Sequence, residues 1–187
     1  MSATNHAQLI KNDSEDYLTT ALLQLLKTNQ LTDLSVTQVV KRAGVSRMAF
    51  YRNYKTLDDI LIRYLTPIFN ESFDDVSKGL TQEDKLRAMA HLFDELSDPL
   101  DLAMKQGFET IVQQIFNENI IRMYQKQNIW SGLALDNQKY YTNFMAAGVY
   151  SIWREWLLSG KKEPLVNIQL LITNIQASLI TSTVKYK

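Results

Sequence analysis

Between Ser14 and Thr28 the apolar residues Leu18, Leu22 and Leu25, flanked by Tyr17, Ala21 and Leu26, recur at the 3.6-residue period of an amphipathic helix. Ser35 is followed three positions later by Gln38, and Val36, Val39, Val40 and Ala43 then repeat at helical spacing, so a capping box opens a short second helix ending before Gly44. Gly44 tolerates positive φ, which lets the chain reverse before Ser46 caps a third helix, Arg47 to about Asn53. Thr56 with Asp59 caps a fourth, which should kink or pause at Pro67 and close at Gly79. Thr81 with Asp84, Asp98-Pro99 and Gly107 punctuate the middle of the chain, and Gly160 and Pro164 separate two long final helices, 136–159 and 164–185. The pattern predicts an all-α chain of about nine helices with no strand.

Composition narrows the chemistry. The 187 residues include no cysteine and only two histidines, His6 and His91, so thiolate nucleophiles, cysteine-held metals and multi-histidine sites have no material. The six glycines never fall as G-x-G, which removes the dinucleotide and P-loop phosphate cradles. Neighbouring acid pairs such as Asp58-Asp59 and Asp74-Asp75 diverge on a helix and read as surface charge. No catalytic constellation, metal or cofactor is implied, and the chain is not expected to be an enzyme. The N-terminus lacks a charged-then-apolar leader pattern, and the longest nearly apolar stretch, Phe144 to Trp153, is about half a membrane span, so a cytoplasmic protein without a membrane partner is expected.

Twenty basic and twenty acidic residues cancel, so any charge-driven partner must be met locally. One stretch offers this: Lys41, Arg42, Arg47, Arg52 and Lys55 occur without an acidic residue between them. It coincides with helix, glycine turn and helix, the helix-turn-helix layout. At about 100° per residue, Arg47, Met48, Tyr51 and Arg52 share one side of the third helix, and Ala49, Phe50, Asn53 and Tyr54 the other. The first set suits double-stranded DNA in the major groove, with Arg47 able to bond guanine O6 and N7 together, and the second set suits packing. Ser46 at its cap, and Ser35 and Thr37 at the start of the second helix, lie where free N–H groups can meet a phosphate oxygen.

Val36-Thr37, Ala43-Gly44-Val45-Ser46, Phe50-Tyr51-Arg52-Asn53-Tyr54 and Lys55-Thr56 together resemble the DNA-binding head of the TetR/AcrR family of regulators. The resemblance covers residues 14–65. It implies that Arg47, Met48 and Tyr51 face bases or nearby phosphates, with Arg52 at the groove edge and Thr37, Asn53 and Lys55 on the DNA backbone. Two positions depart from the family pattern: Asn53 stands where histidine is frequent, and Leu57 where a phosphate-binding lysine is common. The implied division is a DNA-binding domain at 1–64 and an effector-binding and dimerisation domain at 65–187, with repression the usual family mode.

The last two helices are apolar on several faces and so need cover on several sides. Tyr141, Met145, Gly148, Ile152 and Trp156 form one row, and Ile168, Ile172, Ile175 and Leu179 another; a four-helix contact between two protomers would bury both. Such a homodimer would present two heads to a palindromic site. His91, Gln113, Asn117, Tyr124 and Trp153 are polar or amphipathic groups on otherwise apolar helices and are candidate contacts for a small, mostly apolar effector. In an alternative reading the body docks a protein partner and the chain acts as a co-regulator or activator.

Overall fold

The computed structural model describes residues 2–78 and 81–184; Gly79 and the end of the last expected helix lie outside them. The described residues form α1 (Ser2–Leu25), a 3-10 turn (Leu31–Asp33), α2 (Val36–Ala43), α3 (Arg47–Asn53), α4 (Leu57–Lys78), α5 (Gln82–Glu95), α6 (Ser97–Gln106), α7 (Glu109–Lys126), α8 (Leu135–Leu158) and α9 (Leu165–Val184). The fold is all-α, as expected, and the described residues contain no strand. Among them no helix is long and apolar enough to cross a membrane.

Hydrogen bonds between residues three apart set the helix starts. The Ser35 hydroxyl accepts from the Gln38 N–H at 3.3 Å, while Gln38 Oε1 accepts from the Ser35 N–H at 2.8 Å. The same reciprocal pairing joins Thr81 and Asp84 at the start of α5. Pro67 lies inside α4, which runs on through it, so of the expected kink or pause the pause does not occur. Proline removes one N–H and clashes with the carbonyl four residues back, that of Arg63. Arg63 and Pro67 are both exposed.

The chain divides into two compact units: Met1–Pro67 with Leu102–Val112, and Ile68–Asp101 with Gln113–Lys187. In the first, α1 packs on α2 and α3 around Leu18, Leu22, Val39, Phe50 and Ile60, all fully buried. The segment 102–112 joins this unit through buried Phe108 and Val112 and through Gln30, whose Nε2 donates to the Lys105 carbonyl at 2.6 Å. Gly107 reverses the chain there at φ 77°, and a Cβ on it would lie 2.9 Å from Gln30 Oε1.

The second unit is built round an aromatic stack. Trp153, with no exposed surface, lies between Phe93 (centroids 5.7 Å apart) and Phe116 (5.2 Å), and Phe116 meets Phe73 and Tyr150 edge-on. On the same unit α9 packs against α5 and α8, and Gln169 donates to the Leu86 carbonyl at 2.7 Å.

Candidate nucleic-acid interface

The turn between α2 and α3 depends on Gly44, whose φ of 67° and ψ of 23° place it in the left-handed region. Its N–H bonds the Lys41 and Val40 carbonyls, and the Val45 N–H reaches the Val40 carbonyl at 3.1 Å. This six-to-one bond closes α2 as in a Schellman motif and frees the chain to restart two residues later. Ser46 then caps α3, accepting from the Ala49 N–H at 3.1 Å.

Phe50 and Tyr54 point inward from α3 and are buried, whereas Arg47, Met48, Tyr51 and Arg52 are exposed. Met48 is 75% exposed and Tyr51 52%. The Tyr51 ring is held edge-on by Phe50 at 5.1 Å, and the Arg47 guanidinium carbon lies 5.9 Å from its centroid. One surface thus presents two cations, a phenol and a thioether.

Of the expected phosphate contacts, Ser35, Thr37, Ser46 and Lys55 are exposed. Asn53 is turned away. Its Nδ2 donates to the Ala49 carbonyl at 3.1 Å and its Oδ1 is buried without a partner, because the last turn of α3 offers a nearby carbonyl that the short amide reaches first. At the start of α4, Asp59 accepts from the Lys55 N–H at 2.7 Å and the Thr56 N–H at 2.9 Å. These backbone bonds, that from Thr56 foremost, hold its carboxyl below the usual range and fix the backbone from which Lys55 projects. Arg42, with its Nε bonded to Gln24 Oε1 at 2.9 Å, is tied to α1.

No family model and no curated relative matches the chain. Solved structures do. The dihydroxyacetone kinase operon activator DhaS superposes with a TM-score of 0.52 at 16% identity, over 90% of this chain and 96% of its own. FadR of Thermus thermophilus, a TetR-family transcriptional repressor solved with lauroyl-CoA, gives 0.55 at 15% identity over 87% and 93%. The chain has the fold of the TetR-family regulators.

Within this TetR-type fold the other expected residues scatter. The dimer row on α8 faces largely inward: Met145 and Trp156 are buried, Tyr141, Gly148 and Ile152 half-buried. On α9, Ile172 is buried and Ile168, Ile175 and Leu179 are half-buried. The outward apolar positions are instead Leu135, Tyr140, Phe144 and Leu158 on α8 and Val166, Leu170 and Leu171 on α9. Both helices are apolar around much of their circumference, so periodicity marks rows without saying which one the chain itself covers.

Among the expected effector contacts, Tyr124 lines two clefts. It borders a cleft of about 400 Å³ with Trp130, Gln138, Lys139 and Thr142, and a second of about 200 Å³ with Met89, Met123 and Gln176. Burial pushes its phenol well above the ordinary tyrosine range. Gln113 and Asn117 are half-buried on α7 and line neither cleft. Trp153 is enclosed in the aromatic stack. His91 is 75% exposed, its Nδ1 3.5 Å from Glu95 Oε2. Sequence reasoning missed Trp130, whose indole N–H is buried without a partner; it falls in the connection after α7, where no helical periodicity marks it.

Proposed function

We propose that the chain is a DNA-binding transcriptional regulator, acting as a repressor, that binds a palindromic operator as a homodimer and is modulated by a small effector. In this reading residues 1–64 form the DNA-binding domain and 65–187 the effector and dimerisation domain. The observation that carries it is the exposed face of α3: Arg47, Met48, Tyr51 and Arg52 stand outward on a helix whose opposite face is locked by Phe50 and Tyr54. The TetR-type fold supports the same reading.

Anisotropy of the purified protein on duplexes recovered from a random pool, at two salt concentrations against a scrambled duplex, tests it. Specific binding that weakens steeply with salt is expected, because phosphate contacts release counterions. A folded protein that prefers no duplex would remove the reading.

For the dimer, the supporting feature is a solvent-facing row on each of the last two helices. Tyr140, Phe144, Ala147, Ser151 and Leu158 follow helical spacing on α8, as do Val166, Leu170 and Ala177 on α9. Two protomers meeting through these rows would form a four-helix contact with Ala147 and Ser151 at the close approach. Phe144→Glu with Leu170→Glu should convert the dimer to monomer in sedimentation while leaving the far-ultraviolet spectrum unchanged, since neither side chain is buried within the chain. An unaltered dimer would move the interface elsewhere. A monomeric wild-type protein would favour the second reading, in which these rows dock a different protein and the chain is a co-regulator or an activator; DhaS is described as an activator of the dihydroxyacetone kinase operon.

A further inference from the structure

The exposed face of α3 combines two chemistries, positive charge and an apolar thioether. Arg47 and Arg52 supply charge, and beside them stands an exposed thioether, Met48, at 75% exposure. An anion-binding face has no use for that group, since methionine brings no hydrogen-bond donor and only a weak sulfur acceptor. A partner that matches the whole face carries negative charge and, within a few ångströms of it, an apolar group.

Duplex DNA read from the major groove offers one apolar group on its base edges, the C5-methyl of thymine. Placement is consistent with that reading. Met48 is the second residue of α3, directly after Arg47, so the two side chains diverge by about 100° with about 1.5 Å of rise and reach neighbouring positions along a groove. Tyr51 is four residues after Arg47 and three after Met48, and it stands between them, braced by Phe50. Its ring holds the guanidinium to one side, leaving the flexible methionine to settle on a methyl group.

Resting on the DNA-binding reading above, we propose that Met48 is a specificity-determining residue that recognises a thymine methyl group in each half-site, next to the base read by Arg47. The same duplex selection supplies the test. Each thymine of the selected site is replaced in turn by deoxyuridine, which removes the methyl group alone, and binding is measured for the wild type, Met48→Ala and Tyr51→Phe. One replacement per half-site should weaken the wild type by about fourfold, the value of one buried methyl-sized group. Met48→Ala should bind the thymine duplex more weakly and no longer distinguish uracil from thymine there, whereas Tyr51→Phe should keep the distinction. Selection of a site at which the wild type is indifferent to every replacement, or at which Met48→Ala retains the full penalty, would overturn the assignment while leaving DNA binding in place. If no site is selected at all, the assignment falls together with the DNA-binding reading.

Discussion

Trp153→Ala should destabilise the protein by roughly 3–5 kcal/mol, the range for deleting a large buried aromatic side chain. Its ring has no exposed surface and is stacked on both faces, at 24° to Phe93 and 19° to Phe116, with Tyr150 edge-on at 6.1 Å. Removing it leaves a cavity whose walls belong to three different helices and cannot all close on it. The lost hydrogen bond is the smaller part. The indole N–H donates to the Phe93 carbonyl at 3.3 Å, but that carbonyl also accepts from the Ser97 hydroxyl at 2.6 Å, so it is not orphaned. Urea denaturation followed by far-ultraviolet circular dichroism measures the loss without depending on the deleted fluorophore. A cost below about 1 kcal/mol would show that the stack does not hold this unit together. Trp153→Phe, which keeps a ring in the slot, should cost less and leave any effector response intact, because the indole borders neither cleft.

Arg47→Ala should weaken binding to a selected half-site by roughly 5- to 150-fold, the equivalent of about 1–3 kcal/mol for a bidentate guanine contact. It should also relax the preference at one base pair. The guanidinium is exposed on α3 and placed by the Tyr51 ring, so truncation removes a base contact without disturbing the buried face that Phe50 anchors. Lys55→Ala makes the informative contrast. Lys55 lies past the end of α3 on backbone fixed by Asp59, and in the DNA-binding reading it would contact phosphate rather than a base edge. Its truncation should weaken all duplexes alike and lower the salt slope by about one for each phosphate that the ammonium neutralised. Anisotropy titrations on selected and scrambled duplexes at several salt concentrations separate the two effects. Uniform weakening by Arg47→Ala would reassign it from base to backbone.

The features legible along the chain are those whose deciding interactions are local. The boxes Ser35–Gln38 and Thr81–Asp84, the Thr56–Asp59 cap and the Gly44 turn each involve groups a few residues apart, so residue type and spacing settle them. The outward set on α3 followed from the same rule. A seven-residue helix whose Phe50 and whose C-cap Tyr54 lie on one side has one way to bury them, and Arg47, Met48, Tyr51 and Arg52 are what remains. Helical spacing puts Asn53 on the packing side, and the DNA-backbone contact comes only from the resemblance; its amide instead bonds its own Ala49 carbonyl.

The sequence by itself determined that this is an all-α chain with a capped helix-turn-helix and one basic, acid-free stretch, since each of those features rests on contacts within a turn or two of helix. Only the tertiary structure decided that Trp153 is a core stack, that His91 faces solvent, that residues 102–112 belong with the first unit, and that Tyr140 and Phe144 rather than Met145 and Trp156 face outward on α8. The reason is physical: a helix apolar on several sides carries no local record of which side its own chain will cover, and that is settled by packing between segments far apart in sequence.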